Sequence, residues 1–410
     1  MYYHLHANCK IVEGTARSAI YDLNSGKVYS INNTAKDLLL YYEQNPFFGR
    51  MKEMEATHTQ FFDTLTKKGV GGFYFNKPND SALQYPKKQP LSLDFVWFEL
   101  TEQCNNHCIH CYTDSSPEST TPPLSHERRL SLLHEISVAG CKAIQFIGGE
   151  PLLEPNWREI IEAAVSEKFT LIELFTNATL LTQKDIDFLA TNHIHVATTL
   201  YAAQADIHDK ITQTPGSFTK TVQAIEKMIE RRISLRIASV LMKTNETESE
   251  AIVKLIQSFG LEAQPPDIIR PIGRGNNSEL QPDPQYIPSI KPPFWLTESD
   301  FIRSLTYNTC LAGKIAITTK GNIIPCIFAR NNWLGNVKST PLHTILSNEK
   351  LRNCWHTNKD KVTKCKDCEY RYACPDCRPC SQSSDSANNW LAAPPNCHYD
   401  PYSGQWQHKD

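Results

Sequence analysis

The sequence lacks the features that would assign it to a membrane, to a nucleic acid or to a repeat architecture. It has no run of about 18 apolar residues, the length that spans a bilayer. Its first residues lack the basic start and apolar stretch of a secretory signal, so we expect a cytoplasmic protein. Lysine plus arginine (42) nearly balance aspartate plus glutamate (44), and no internal repeat is present. We therefore expect neither nucleic acid nor a membrane among its partners.

The cysteine content is the unusual part of an otherwise ordinary composition. The chain has 410 residues, of which 40% are hydrophobic and 21% charged, as in a globular protein of two or three domains. Of its 14 cysteines, eight fall into closely or regularly spaced groups between Cys310 and Cys397. Thiols stay reduced in the cytosol, so clustered cysteines there indicate metal sites more often than disulfides.

Strand and turn patterns divide the chain into three predicted domains. Residues 18–31 predict a hairpin around a turn at 24–27, followed by a helix over 36–42, and the polar, proline-bearing stretch 76–90 predicts a linker. Residues 1–90 are thus predicted to form a small first domain. Prolines between 265 and 293 mark the connection from a second domain, 91–290, to a cysteine-rich third domain, 291–410.

The second domain alternates strand-like and helix-like segments, which predicts an α/β fold with a parallel sheet. Six βα units are too few to close a full barrel, so we expect a partial (βα)6 barrel. The predicted strands are 95–100, 143–147, 171–175, 195–200, 235–240 and 267–270, and the clearest predicted helices are 127–139, 157–167 and 218–231.

Three cysteines stand on a loop directly after the first of these strands. Cys104, Cys108 and Cys111 are separated by three and by two residues. Thiolates at such spacings can ligate three irons of a four-iron cluster and leave the fourth iron without a protein ligand. A zinc site completed by His107 or His110 is the alternative, although the position at a strand end disfavours it.

This loop, followed by the aromatic Tyr112, resembles the signature of the radical S-adenosylmethionine (SAM) enzymes. Gly148, Gly149 and Glu150 follow the second strand, where that family has a glycine–glutamate motif that meets the amino group and carboxylate of SAM. The resemblance implies that Glu150 supplies a countercharge there. Further residues match family positions that contact SAM or shape its site: Thr176, Asn177 and Ser239 at later strand ends, Arg274 beside the sixth strand, and the loop residues His208 and Asp209.

The resemblance also implies the chemistry. A [4Fe-4S] cluster on Cys104, Cys108 and Cys111 would bind SAM, and one-electron reduction would yield a 5′-deoxyadenosyl radical that abstracts a hydrogen atom from the substrate. The first step then needs no protein general base. A reductant such as flavodoxin or ferredoxin is the implied electron source.

The cysteine-rich end resembles a SPASM domain, which binds two auxiliary [4Fe-4S] clusters. By this resemblance Cys365, Cys368, Cys374 and Cys397 would ligate an outer cluster, and Cys310, Cys326 and Cys377 an inner one. The chain departs from the family pattern, because only two residues separate Cys374 from Cys377 and an additional Cys380 follows. Cys380 either completes the inner cluster or is a spare thiol. Paired zinc ribbons are the alternative for the whole segment, and the lone cysteines Cys9, Cys141 and Cys354 match no motif.

The hairpin and helix of residues 1–90 resemble the winged-helix-like element that recognises leader peptides, with an N-terminal cap on the barrel as the alternative. The sequence therefore predicts an enzyme that modifies a ribosomally made precursor peptide, by a thioether or another side-chain crosslink. Formylglycine formation, as in anaerobic sulfatase maturases, is a competing activity. A non-catalytic iron–sulfur, zinc-binding or electron-transfer protein is the competing class.

Overall fold

A computed structural model describes residues 1–46, 56–77, 81–87 and 90–407. The chain divides into two compact units. The terminal unit comprises Met1–Pro90, Ser289–Ala312 and Trp355–Asp410, and the barrel unit comprises Leu91–Pro288 and Gly313–Cys354. Part of the predicted third domain groups with the barrel unit, and the division into three domains with limits near 90 and 290 stays a prediction. In the described parts of the chain, no helix has the length and apolar character needed to cross a membrane.

The strands, numbered along the chain, are mostly short. They are β1 (Tyr2–Leu5), β2 (Cys9–Glu13), β3 (Arg17–Asp22), β4 (Lys27–Asn32), β5 (Gly71–Tyr74), β6 (Phe95–Glu99), β7 (Ala143–Ile147), β8 (Leu171–Phe175), β9 (His195–Thr199), β10 (Leu235–Ala238), β11 (Val240–Leu241), β12 (Asp267–Ile268), β13 (Lys314–Ile317), β14 (Asn322–Ile324), β15 (Gly335–Asn336), β16 (Tyr399–Asp400) and β17 (Gln405–Trp406).

The α-helices begin at polar caps in several places, as at Asn32, whose side chain accepts a hydrogen bond from the backbone of Ala35, and at Thr182, which forms a capping box with Asp185. They are α1 (Asn33–Gln44), α2 (Ala56–Lys67), α3 (His126–Val138), α4 (Trp157–Ser166), α5 (Gln183–Thr191), α6 (Ala205–Thr212), α7 (Ser217–Glu230), α8 (Ser249–Ser258), α9 (Glu298–Ser304), α10 (Leu342–Leu346), α11 (Glu349–Trp355) and α12 (Arg378–Ser383).

One eight-stranded sheet organises the barrel unit. Its strand order is β10-β9-β8-β7-β6-β13-β14-β15, with every pair from β10 to β13 parallel and the last two pairs antiparallel. Along β7, Ile144 and Phe146 are fully buried, while the alternate residues Gln145 and Ile147 line a cavity on the other face. The prediction of an α/β fold with a partial barrel is confirmed.

Two details of the sheet differ from the simple series of six strands. The sixth predicted strand is reduced to β12, which pairs in parallel with β11 in a separate two-stranded sheet. The far edge is instead extended by β13, which lies parallel to β6, and by the hairpin of β14 and β15. Sequence patterns did not indicate β13, because its partner lies more than 200 residues earlier in the chain.

The terminal unit builds its core from segments that are far apart in the chain. The predicted hairpin is present as β3 and β4, which form an antiparallel sheet with β2, and β1 pairs with β5. Val12 and Tyr21 of this sheet pack against Phe301 and Tyr372. One core cluster of residues 1–90 is therefore shared with later stretches, while a second one, around Phe62, lies within residues 3–82. The winged-helix character of this segment stays a prediction.

Candidate functional site

The carboxyl ends of the parallel strands β6 to β10 meet at one edge of the sheet, as parallel topology requires. A cavity of about 450 Å³ lies there. It is lined by every residue that the sequence predicted as a cluster ligand or a SAM contact except Glu150, namely Cys104, Cys108, Cys111, Tyr112, Gly148, Gly149, Thr176, Asn177, Ser239 and Arg274. The structure thus brings three thiols and seven predicted cofactor contacts together around one space, and their individual roles stay predictions.

Glu150 lies behind the cavity wall and is fully buried. Its Oε1 accepts hydrogen bonds from the Thr176 hydroxyl (2.7 Å) and the Leu152 backbone (3.1 Å), and its Oε2 accepts one from the Asn177 backbone (2.8 Å). In this structure the carboxylate therefore positions Thr176 and Asn177, two residues of the wall. The direct countercharge to SAM that the resemblance implied stays a prediction.

Burial raises the pKa of the Glu150 carboxyl to about 7, against the lowering effect of its hydrogen bonds. Because the folded pKa exceeds the unfolded one, the stabilisation from this group is complete below pH 4.5 and is lost as the pH rises through 7. We expect the free energy of unfolding of the cofactor-free protein to fall by about 3 kcal/mol over that range. Denaturant titrations at several pH values measure it. Glu150→Gln should flatten this part of the profile, and an unchanged profile in that variant would contradict the assignment.

Gly148 and Gly149 pack against the segment that leads into the cysteine loop. A Cβ atom on Gly148 would meet the Thr101 carbonyl oxygen at 2.4 Å, and one on Gly149 would meet the Gln103 carbonyl oxygen at 2.2 Å. Gly148 also has a φ of +149°, which side chains disfavour. Backbone hydrogen bonds from Gly149 to Thr101 (2.7 Å) and from Glu150 to Gln103 (2.8 Å) lock this contact. The glycines are therefore needed to seat the cysteine loop on the sheet.

Arg274 fixes the other side of the cysteine loop. Its Nε donates to the Cys108 carbonyl (2.8 Å), its Nη2 to the Ser115 carbonyl (2.7 Å), and its backbone N–H to the Cys111 carbonyl (3.0 Å). The preceding Gly273 has a φ of +58°, and a Cβ there would lie 2.5 Å from the same Cys111 oxygen. Sequence reasoning missed Gly273, whose role becomes visible only when residues 111 and 273 are adjacent in space.

Two thiols of this loop, those of Cys104 and Cys108, favour the protonated form when no metal is bound. Burial raises the pKa of Cys104 to about 12, and burial also raises the pKa of Cys108. Thiols bind metal as thiolates, so cluster assembly here must release protons. Hydrogen bonds to sulfur are already in place, because the Asn106 backbone lies 3.4 Å and the Asn177 amide 3.9 Å from Cys104 Sγ.

The cavity wall also presents polar atoms that would suit a bound polar group. Asn106 Oδ1 and His110 Nδ1 are buried and find no hydrogen-bond partner among the described residues. Burial and the nearby Arg274 lower the pKa of His110 to about 4, so its ring is neutral at pH 7. Buried polar atoms are normally hydrogen-bonded. Together with three thiols at one cavity, these atoms fit a [4Fe-4S] cluster with SAM.

Two aromatic residues that line the cavity, Tyr201 and Phe328, were not identified from the sequence. His110 stacks edge-on against Tyr201, and Tyr112 against Phe328, with ring centroids 4.8 and 5.1 Å apart. Tyr201 in turn donates its backbone N–H to His208 Nδ1 (3.3 Å). Asp209 accepts hydrogen bonds from the Ser217 side chain and the Phe218 backbone, both at 2.8 Å. His208 and Asp209 lie in α6, where Asp209 holds the turn into α7, and their predicted role of shaping a loop stays a prediction.

A second group of thiols lines a separate cavity in the terminal unit. Cys365, Cys368, Cys374 and Cys397, the four cysteines assigned to the outer cluster by resemblance, border it together with Lys359. Burial raises the pKa of each of Cys365, Cys368 and Cys374, for Cys374 to about 12. The four thiols border one cavity, and their role as ligands of a four-iron cluster stays a prediction.

The cysteines assigned to the inner cluster are divided between the units. Cys310, Cys377 and Cys380 belong to the terminal unit and Cys326, which is buried, to the barrel unit. Their role as ligands, and the choice for Cys380 between ligand and spare thiol, stay predictions.

Both cysteine-containing regions of the chain match known protein families. Residues 98–256 match the radical SAM superfamily, and residues 310–369 match an iron–sulfur cluster-binding domain, SPASM. The first match contains the cysteine loop and the wall residues up to Ser239. The second contains Cys310, Cys326, Cys365 and Cys368.

The proteins to which this chain is similar have diverse functions. The antilisterial bacteriocin subtilosin biosynthesis protein AlbA of Bacillus subtilis is 26% identical over 65% of this chain, and the alignment spans 62% of AlbA. An AdoMet-dependent heme synthase of Methanosarcina barkeri is 23% identical over 75% of this chain and 96% of that protein. The crystal structure of Streptococcus suis SuiB bound to its precursor peptide SuiA aligns with a TM-score of 0.55 and 14% identity, covering 92% of this chain and 96% of SuiB. This last likeness establishes the fold.

Proposed function

Because the chain is a radical SAM enzyme with a SPASM domain, we propose that it modifies side chains of a ribosomally made precursor peptide. The observation that supports this proposal most directly is the pairing of two cysteine-lined cavities, one in each unit, in a chain similar to the peptide-related proteins AlbA and SuiB. Forming a crosslink removes two hydrogen atoms, so a second electron must leave the substrate. Auxiliary iron–sulfur clusters can accept that electron.

When bound, the cluster and SAM supply a 5′-deoxyadenosyl radical that abstracts a substrate hydrogen. The residues of this chain then bind and orient the substrate and exclude water from the site. Cys104, Cys108 and Cys111 would ligate the cluster, while Thr176 and Asn177, positioned by Glu150, would contact SAM. Arg274 keeps the loop in place through the carbonyls of Cys108 and Ser115.

A polar network on the inner face of the sheet is suited to a peptide. Gln145 Nε2 donates to Glu173 Oε1 at 2.6 Å, and Arg236 Nη2 donates to the same oxygen at 2.7 Å. The Arg236 guanidinium also lies 5.7 Å from the centre of the Phe175 ring. Gln145, Phe175 and Arg236 all line the cavity. Paired donors and acceptors of this kind can bind the amide groups of a peptide without adding net charge.

The edge strand β4 is the proposed binding site for the leader of that peptide. It pairs with β3 on one side, and on the other side the bridging contact provided by the described residues is that of Lys27 with Trp295. The opposite edge is less open, because the Ile11 backbone of β2 is bonded to Ala82 and Tyr85. An extended leader could therefore add as a further strand beside β4.

The proposal is tested with the full chain, reconstituted anaerobically and incubated with SAM, dithionite and the precursor peptide encoded beside it. We expect mass spectrometry to show a peptide lighter by two hydrogen atoms, at a fixed residue pair. Removing the leader should slow the reaction by about tenfold or more, because the added strand supplies most of the affinity.

The outcomes separate the candidate activities. Crosslinked residues support a maturase, whereas an aldehyde at a single cysteine or serine supports formylglycine formation. Formation of 5′-deoxyadenosine without any change in the peptide, and without binding of the leader, would overturn the peptide proposal and leave the radical chemistry intact. We further propose a flavodoxin or ferredoxin as the physiological reductant and the cytoplasm as the location.

A further inference from the structure

Lys359 places a buried ammonium group among the cysteines of the outer set. The side chain is 7% exposed, and its Nζ lies 3.7 Å from Cys374 Sγ and 4.0 Å from Cys365 Sγ. It donates a hydrogen bond to the Pro375 carbonyl at 3.0 Å. Lysine is almost never buried without an anionic partner, because desolvating its charge is costly. The group must therefore have a negative partner in the functional protein.

The neighbouring acidic residue is already paired. Asp376 lies 3.8 Å from Lys359 Nζ, but the Nε of the fully buried Arg378 donates to both of its carboxylate oxygens, at 2.9 and 2.8 Å. Arg371, which also borders the cavity, is paired with Asp360 at 2.9 Å. Two buried cations thus share one carboxylate, which leaves one positive charge facing the sulfur atoms of Cys365 and Cys374.

We propose that Lys359 is a positioning charge for the outer cluster and raises its reduction potential. A four-iron cluster with four thiolates is an anion that becomes more negative by one charge on reduction. A fixed ammonium beside two of its sulfur ligands stabilises the reduced state more than the oxidised state, as second-shell charges generally do. The outer cluster would thereby become a better acceptor of the electron released by substrate oxidation. The inference rests on the cluster assignment and is independent of which peptide is modified.

The test is a redox titration followed by electron paramagnetic resonance. The background is a chain with Cys104, Cys108 and Cys111 replaced by alanine, so that only auxiliary signals remain. We expect Lys359→Met to disfavour reduction of one auxiliary cluster about tenfold, a downward shift of about 59 mV for a one-electron couple. The other cluster should not shift. Lys359→Gln should behave as Lys359→Met does, because it retains a donor but no charge.

Two controls separate charge from structure. Lys359→Arg retains the charge and should retain the potential, and Lys361→Met removes an exposed lysine two residues away and should shift nothing. Asp376→Asn removes a negative charge and should shift the same cluster upward. Unchanged midpoints in Lys359→Met with full iron content would overturn the proposal. If Lys359→Met loses iron, the midpoint potential of Asp376→Asn becomes the test. A midpoint potential that does not rise in Asp376→Asn would also overturn the proposal. A parent protein without auxiliary iron would refute the cluster assignment itself.

Discussion

Replacement of Cys104, Cys108 and Cys111 by alanine is expected to abolish the formation of 5′-deoxyadenosine from SAM and dithionite. The three thiols border one cavity with seven predicted cofactor contacts, and a cluster that loses all three of its thiolate ligands is not retained. The iron content should fall by about four atoms per chain, while the auxiliary iron remains. Product chromatography and iron analysis measure the two effects.

Cys141→Ala is the matched control for this experiment. Cys141 is a buried thiol of the same unit, 1% exposed, and its sulfur donates to the Ala143 carbonyl rather than lining the cavity. It should retain both the iron and the product. Product formation by the triple variant, or none by the parent protein, would disprove the assignment of the loop. A single zinc in place of iron would favour the alternative ligand set with His107 or His110.

Gly149→Ala is expected to lower the rate of SAM cleavage by at least about 100-fold, although the residue is not itself a ligand. Its Cβ would come within 2.2 Å of the Gln103 oxygen and 2.9 Å of the Glu102 oxygen, both backbone atoms directly before Cys104. The segment must move by about 1 Å to relieve the overlap, and displacements of that size in an active site cost about 10²-fold. Iron content and SAM affinity, measured on the same sample, show whether the lower rate comes from loss of the cluster or from weaker binding of SAM.

The control for Gly149→Ala is Gly140→Ala. Gly140 has a φ of +90°, and a Cβ there would meet no atom within 4 Å, so the change adds backbone strain without moving the cysteine loop. We expect a modest loss of stability, about 1 kcal/mol, and an unchanged rate. Equal losses of activity in the two variants would show that the effect of Gly149 is a general fold defect.

Local patterns in the sequence were sufficient to predict the barrel. The predicted strands 143–147 and 171–175 coincide with β7 and β8, and the predicted helices 157–167 and 218–231 coincide with α4 and α7 to within one residue. Burial alternates along β8 and follows the helical period in α7, where Thr221, Ala224, Ile225 and Met228 face inward. The cysteine spacing then located the site, since it follows β6 directly.

Contacts between distant residues were beyond the reach of such patterns. Arg330 pairs with the buried Glu99 across 231 positions, and this ion pair joins the end of β6 to the segment after β14. The contacts of Asp376 with Lys359 and Arg378 likewise depend on how the loops fold. Only Arg378 belongs to an α-helix, as the first residue of α12, so no periodic pattern relates the three residues. The sequence identified Glu150, Thr176 and Asn177 as site residues, but the hydrogen bonds that Thr176 and Asn177 donate to Glu150 became visible only in the structure.

The terminal unit is assembled from three separate stretches of chain, and this has a consequence for biosynthesis. Residues 1–90 precede the barrel segment Leu91–Pro288 in the chain, whereas Tyr372, which packs with Val12 and Tyr21, follows that segment. The continuous stretch Leu91–Pro288 can begin to fold in the meantime, since domains form as units during synthesis. During synthesis Val12 and Tyr21 therefore lack Phe301 and Tyr372 until those residues have been made, whereas the apolar cluster around Phe62 can form within residues 1–82.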